Sequence, residues 1–249
     1  MSRTVRPGEA GRSELPAERA KNAEVDDFLQ AAARVPAHRD AKPARAAQPK
    51  GRLIFALDAT ASRQPTWDQA CDIQGEMFAA TASLGGLAVQ LAYFRGMDEF
   101  HATPWANDSR SLIDYMAHVR CLRGLTQIER VLAHAVEEAK RQRINALVYV
   151  GDSMEELPDG LKALAGELGL LGVPVFIFHE GDDPTAADIF RHIARLTRGA
   201  YLSFDSSSPR LLRDLLAAIA IYAVGGHAAL RDFSRTASEE VRRLTHQLK

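Results

Sequence analysis

Short apolar runs alternate with longer amphipathic stretches from residue 52 onward. The first run, residues 53–57, is apolar at every position, which is typical of a strand in a parallel sheet covered on both faces. The segment 99–104 is more polar, which indicates a strand at the edge of the sheet. The predicted strands are, in chain order, 53–57, 87–94, 99–104, 146–150, 173–178 and 200–204.

Helical patterns separate these strands, and several carry recognisable start signals. Asp183 followed by Pro184 predicts a helix start, because Asp caps free backbone amides and Pro fits the first helical position. Thr126-x-x-Glu129 predicts a capping box, in which two side chains satisfy the first amides of a helix. The predicted helices are 66–84, 109–122, 126–143, 157–171, 184–198 and 208–224.

The alternation of strands and helices predicts the fold class. It implies a Rossmann-like, doubly wound α/β fold with a mostly parallel six-stranded sheet and helices on both faces. In such sheets, functional groups gather at the carboxyl ends of the strands, beside the point where the strand order switches. Candidate functional residues are therefore sought in the segments that directly follow the strands.

The chain divides into three parts by composition. Residues 1–50 are rich in Arg, Ala, Glu and Pro, with Phe28 as the single aromatic residue, so we expect a largely disordered arm or a short helix. Residues 51–225 hold all the predicted strands and most of the apolar residues, and we expect them to form one domain. Residues 226–249 are amphipathic and charged, and we expect a helical extension there.

Composition also excludes some classes of function. The formal net charge is −1, so nothing marks the chain as a binder of nucleic acid or of a membrane surface. The two cysteines, Cys71 and Cys121, fit no zinc pattern and are interpreted as free thiols. The most apolar stretch, 215–224, is too short to span a bilayer. We therefore expect a cytoplasmic protein without a nucleic-acid or membrane partner.

Three polar segments follow or face the predicted strand ends, and together they offer two carboxylates and three hydroxyls. Asp58, Thr60 and Ser62 come directly after the first strand, Asp152 follows the fourth, and Thr126 lies just before a helix. Alternate residues of an extended or turning segment can point to one side. Oxygen ligands without nitrogen or sulfur suit Mg²⁺ or Mn²⁺ rather than zinc. The pattern predicts a divalent metal site at this edge.

This set of residues resembles the metal-ion-dependent adhesion site of von Willebrand factor A (VWA) domains. That family has an Asp-x-Ser-x-Ser segment, a Thr on a loop before a helix, and an Asp after the fourth strand. The matching residues here are Asp58, Thr60, Ser62, Thr126 and Asp152, and the resemblance covers residues 52–224. It implies one short antiparallel edge strand in the sheet, which the segment 99–104 matches.

The resemblance also implies a role for each residue. Thr60 and Ser62 would contact the ion through their hydroxyls, and Thr126 would contact it directly or through water. Asp58 and Asp152 would supply charge, partly through water. The chain departs from the family at two places: Thr60 stands where Ser is more common, and a Leu precedes Thr126 where Gly is usual.

A binding module rather than an enzyme is the function that this resemblance implies. An Asp or Glu carboxylate from another protein would complete the coordination of the ion. Bacterial intracellular domains of this kind resemble adaptors that act alongside ATPase chaperone-like machines, so such a complex is one candidate partner.

Two alternatives stay open from the residues alone. A phosphatase of the haloacid dehalogenase type would use Asp58 as nucleophile and residues 151–156 as the Mg²⁺ motif, although Thr60 stands where a titratable acid is needed. Each residue taken singly could also be structural, because Thr126-x-x-Glu129 and Ser153-x-x-Glu156 both fit capping boxes.

Overall fold

A computed structural model describes residues 51–204 and 209–248, and the side chains of Pro209 and Glu240 are not among the described atoms. The predicted N-terminal arm, residues 1–50, lies outside the described residues. The described part contains a six-stranded sheet with the order β3-β2-β1-β4-β5-β6. The strands are β1 Gly51–Asp58, β2 Leu87–Arg95, β3 Glu99–Ala102, β4 Ala146–Gly151, β5 Val175–Glu180 and β6 Ala200–Phe204.

All neighbouring strands are parallel except β3, which pairs antiparallel with β2. This arrangement confirms the predicted sheet, including its single polar edge strand. The edge strand ends at Ala102, two residues earlier than the sequence predicts, since Pro104 has no amide hydrogen with which to continue the ladder. Ala106 then forms an isolated bridge to Val89.

Helices cover both faces of the sheet. They are α1 Gln64–Ile73, α2 Gly75–Thr81, α3 Ser109–Ala117, α4 Ile128–Arg141, α5 Pro158–Leu170, α6 Pro184–Leu196, α7 Pro209–Ser234 and α8 Glu239–Gln247. Short 3₁₀ turns lie at Ala61–Arg63 and Ala82–Leu84. The cap predicted at Asp183 is confirmed, because its side chain accepts hydrogen bonds from the amides of Thr185 and Ala186.

The sheet separates two apolar layers, and the alternation along β1 shows how. Leu53, Phe55 and Leu57 face the layer formed with α1, α2, α3, α7 and α8. Ile54 and Ala56 face the layer formed with α4, α5 and α6. Successive strand side chains point to opposite faces, so a continuously apolar strand fills both layers at once.

The strand order switches between β1 and β4. From β1 the chain continues to β2 on one side, and later elements place β4 and β5 on the other. Leu57 is the register partner of Val150, so β1 and β4 end side by side. A crevice at the carboxyl ends of two such strands is the usual place for a ligand site in open α/β sheets.

The last helical segments differ from the prediction. The helix expected at 208–224 instead runs from Pro209 to Ser234, with a kink at Gly226. The C-terminal residues Val241 and Leu244 are buried in the apolar layer that also contains Leu53. Within the described residues, 210–234 form one helix long and apolar enough to cross a membrane by length and composition. Half of its most apolar window is buried inside the domain.

Gly226→Ala should lower the free energy of unfolding by about 1–3 kcal/mol, because φ 67° and ψ −164° lie in a region reserved for glycine. A methyl group there would meet no atom within 4 Å, so the loss comes from the backbone. Gly166→Ala in α5 has equally open surroundings but sits inside a helix, and should stabilise by about 0.5–1 kcal/mol. Urea unfolding measures both, and changes of the same sign would contradict this account.

Candidate functional site

The first polar segment turns sharply after β1. Asp58 is the last residue of β1 and only 2% exposed, and its Oδ1 accepts a hydrogen bond from the Thr60 amide at 2.7 Å. This side-chain bond two residues ahead is an Asx turn. A 3₁₀ turn follows from Ala61 and bends the chain back over the strand end. The turn places the Thr60 and Ser62 hydroxyls on one side, as the alternate spacing predicts.

A chain of close contacts joins this turn to the segment after β4. Thr60 Oγ1 lies 3.4 Å from Ser62 Oγ, and the Ser62 hydroxyl donates to Asp152 Oδ2 at 3.1 Å. The Asp58 and Asp152 charges also interact, since burial raises the pKa of Asp58 and the Asp152 carboxylate raises it further. The structure therefore brings four of the five predicted residues together: Asp58, Thr60, Ser62 and Asp152.

The donor set fits a hard divalent cation. Neighbouring oxygens around an octahedral Mg²⁺ lie about 3 Å apart, close to the two contact distances that run through Ser62 Oγ. Asp58 Oδ2 is buried and has no hydrogen-bond partner among the described residues. Burial raises the pKa of Asp58 to about 6, against the opposing effect of the Thr60 hydrogen bonds. A nearby cation would compensate this buried carboxylate.

Thr126, the fifth predicted residue, is held by the loop that follows Asp152. Its hydroxyl donates to Glu156 Oε2 at 2.5 Å and accepts from the Glu155 amide at 2.9 Å, and its own amide donates to Glu155 Oε2 at 2.7 Å. A hydroxyl oxygen has two lone pairs, so one stays free for a further contact. Thr126 itself makes no described hydrogen bond to the other four residues, and its side chain contacts the loop that follows Asp152.

The predicted capping boxes are wrong. The helix α4 begins at Ile128, and the Glu156 carboxylate from the neighbouring loop accepts from the amides of Ile128 and Glu129. Ser153 does not cap α5 either, since that helix begins at Pro158 and its cap position is Leu157. Anions are stabilised at a helix N-terminus, which explains why a distant carboxylate can replace the local pair.

Arg63 is the main site residue that the sequence did not reveal. It is 3% exposed and lies between two carboxylates, with Nη1 at 3.5 Å from Asp152 Oδ2 and Nη2 bonded to Glu180. Nη2 also donates to the Thr66 hydroxyl at 2.7 Å. Thr66 is thereby drawn into this network rather than starting a helix, and α1 begins earlier, at Gln64. A buried cation therefore neighbours the carboxylate of the predicted metal ligand.

His179 orders the backbone beneath Asp152. It is fully buried, with Nε2 at 3.0 Å from the Asp152 carbonyl oxygen and Nδ1 at 2.9 Å from the Tyr201 hydroxyl. A carbonyl only accepts, so Nε2 donates this hydrogen bond. Gly151 is required nearby, because a Cβ there would lie 2.3 Å from the Tyr149 hydroxyl.

Exposed apolar side chains lie on loops at the same edge of the sheet as the site. Met97, Leu122, Leu125 and Leu157 are 69%, 42%, 45% and 83% exposed. The loops are tied together, since the Leu122 amide donates to the Ala59 carbonyl and the Leu125 amide to that of Gly96. We call these four side chains the apolar rim. Apolar side chains grouped around a polar centre are typical of protein-binding surfaces.

Comparisons with known proteins identify the fold. No protein-family model and no curated protein matches the sequence. Among solved structures, a von Willebrand factor type A protein from Catenulispora acidiphila has a TM-score of 0.57 at 14% identity over 71% of this chain. The VWA domain of SpRpn10 has a TM-score of 0.51 at 17% identity over 68% of this chain, and mussel byssus proximal thread matrix protein 1 has 0.55 at 15% over 69%.

The described domain therefore has the von Willebrand factor A fold. It spans 94% of the SpRpn10 domain but only 43% of the Catenulispora protein and 47% of the mussel protein. Identities this low establish the fold alone. The matches give no support to the phosphatase alternative.

Glu156→Ala should destabilise the protein by about 1–2 kcal/mol, because it leaves the first amides of α4 and the Thr126 hydroxyl without their acceptor. Glu129→Ala, a matched change in the first turn of α4, should cost less, since its carboxylate is not the cap. Chemical denaturation of both variants checks the order of the two losses. A larger loss of stability for Glu129→Ala than for Glu156→Ala would contradict this account and support the predicted capping box instead.

Proposed function

We propose that this domain is a Mg²⁺- or Mn²⁺-dependent protein-binding module, in which an Asp or Glu of a partner protein completes the coordination of the ion. The single observation that carries the proposal is the chain of oxygens from Thr60 through Ser62 to Asp152, beside the buried and unpaired Asp58 Oδ2. The bound ion would supply a Lewis-acidic centre for a carboxylate.

The chain's own residues would divide the work. The Thr60 and Ser62 hydroxyls and the Asp152 carboxylate would hold the ion, while Asp58 would supply charge from beneath and orient Thr60 through its amide. Thr126 would contact the ion from the facing loop. It would use the lone pair of its hydroxyl oxygen that does not accept from the Glu155 amide. Two carboxylates offset the charge of a divalent ion, so a carboxylate is a suitable group for a partner to bring.

The apolar rim favours a protein over a small anion as partner. Met97, Leu122, Leu125 and Leu157 offer apolar area around the polar centre, and buried apolar cores surrounding a few polar contacts are typical of protein interfaces. An ATPase chaperone-like complex in the cytoplasm remains our proposal for the class of partner. Nucleic acid and membrane are not proposed as partners of this site.

Binding rather than catalysis is the proposed activity. A phosphatase with Asp58 as nucleophile needs a nearby general acid, and the position two residues later is Thr60, which cannot supply a proton near neutral pH. Asp58 is also 2% exposed and turned toward the Thr60 amide, which does not suit attack on an incoming phosphate ester.

Mg²⁺ should raise the melting temperature of the wild-type protein, because an ion that binds only the folded state at a hundred times its Kd stabilises by about 2.7 kcal/mol. Ser62→Ala removes a proposed ligand and should abolish this rise. Ser153→Ala removes a hydroxyl that donates to the other oxygen of Asp152, at 3.2 Å, and should leave the rise intact. Differential scanning calorimetry with Mg²⁺, and with EDTA, measures all three proteins.

The same variants test the partner. A protein recovered by the wild type and by Ser153→Ala in Mg²⁺ should be lost with Ser62→Ala or with EDTA. If neither Mg²⁺ nor Mn²⁺ changes the melting temperature of the wild-type protein, the proposed metal site is overturned. This holds whether or not the protein recovers a partner.

Arg63 should weaken the affinity of this site for the ion. Its guanidinium is 3.5 Å from the Asp152 oxygen that Ser62 also contacts, so it competes for the same carboxylate. Two unit charges at such a distance interact by about 4–5 kcal/mol at an effective dielectric constant of 20. The second carboxylate, Glu180, draws the guanidinium partly away from Asp152.

The double variant Arg63→Met/Glu180→Gln should bind Mg²⁺ at least about fivefold more tightly than the wild type, by roughly 1 kcal/mol, because it frees Asp152 from a competing cation. Removing both side-chain charges leaves the local net charge unchanged, and Glu180, the other carboxylate that Arg63 contacts, is not left behind as an unpaired charge. In Glu180→Gln alone, the Arg63 guanidinium keeps Asp152 as its only carboxylate partner among the described residues, so Mg²⁺ should bind more weakly. Calorimetric titration measures the Kd values, and equal affinities for all three proteins would contradict the competition.

A further inference from the structure

A cleft lined by several arginines lies at the opposite end of the sheet. It has a volume of about 660 Å³ and lies between the end of α6 and the start of β6, with Arg191, Arg195, Arg198, Tyr201 and Gln247 in its lining. Because β6 is parallel to β5, its first residues are at the amino ends of the strands, away from the metal site. The volume is in the range of small-molecule sites.

Three arginines give this cleft its charge. Arg191 and Arg195 lie four residues apart in α6, so they are neighbours on its surface, and Arg198 follows just beyond the helix end. Arg191 is paired with Asp188 and lies over the Tyr201 ring at 4.7 Å. Within residues 51–204 and 209–248, the structure gives the side chains of Arg195 and Arg198 no acidic partner. The cleft therefore carries an excess of positive charge.

Arg198 is held in an unfavourable backbone conformation. Its φ of 55° makes it the one non-glycine residue with positive φ in the described part of the chain. The position lies just past the end of α6, where glycine is the preferred residue. Strain of this kind is often kept where a side chain serves a function.

The neighbouring glycine does not relieve this strain. Gly199 is needed for a different reason, since a Cβ there would lie 1.9 Å from the Val175 carbonyl oxygen. Glycine therefore occupies position 199, where packing is close, while an arginine occupies position 198, where the backbone is left-handed. Arg195 lies in the last turn of α6, where a cation suits the helix dipole, and Arg198 lies beyond the helix end.

We propose that this cleft binds a small ligand that carries two or more linked phosphate groups. Arginine presents a planar fork of donors that matches phosphate oxygens, and two guanidinium groups without an acidic partner in one cleft suit the charge of a diphosphate. A single carboxylate carries one negative charge and would offset only one of these two cations. The Gln247 side chain, which bonds both backbone groups of Tyr201, fixes the floor of the cleft. This proposal does not depend on the metal site.

Arg198→Gly tests the proposal because its two effects have opposite signs. Glycine relieves the backbone strain, so the melting temperature should rise, while the affinity for pyrophosphate should fall at least fivefold. Arg195→Met should reduce the affinity by a similar factor. Arg110→Met removes an exposed arginine from α3 and should change the affinity less than twofold. Calorimetric titration of the full chain in EDTA keeps the metal site out of the measurement.

Further ligands separate the sources of the phosphate groups. ATP binding more tightly than pyrophosphate would indicate a nucleotide that also contacts Tyr201, while equal affinities would indicate the phosphate chain alone. The proposal is overturned if neither ligand binds at millimolar concentration, if Arg198→Gly binds pyrophosphate as the wild type does, or if a glutamate-rich peptide binds more tightly than both.

Discussion

The parallel pairing of β1 with β4 is the constraint on which the candidate site depends. It ends both strands at the same level, so that the Ser62 hydroxyl meets the Asp152 carboxylate although the two residues are 90 positions apart in the chain. If β4 slipped by one residue relative to β1, all the side chains of β4 would turn to the opposite face of the sheet, and both apolar layers would be disrupted. The packing of the sheet interior therefore enforces the geometry of its polar edge.

Charge is buried at this edge rather than avoided. Asp58 and Arg63 are both nearly inaccessible, and burying an ionised group is costly unless partners surround it. The Thr60 amide satisfies one oxygen of Asp58, and Glu180 and Asp152 surround the guanidinium. The second oxygen of Asp58 has no such partner among the described residues. The proposed ion would provide the interaction that the protein leaves unmade there.

The two ends of the sheet differ in charge, and a buried histidine lies between their side chains. The carboxyl ends of the strands gather carboxylates, while the arginines of α6 gather near the amino end of β6. His179 bonds the Asp152 carbonyl on one side and the Tyr201 hydroxyl on the other, and Arg191 covers the Tyr201 ring. One rigid sheet thus supports two chemically distinct surfaces.

The sequence by itself determined the strands, the polar edge strand and the turn at Asp58. Apolar periodicity and alternate spacing are local signals, so they can be recognised from the order of residues alone. The convergence of Asp152 on that turn needs β1 and β4 to be neighbours, which the tertiary structure shows. Only the tertiary structure decided that Glu156 caps α4 and that Arg63 lies beside Asp152. Those contacts join loops distant in sequence, and no local pattern encodes which charged side chain packing will bring to a helix end or a buried carboxylate.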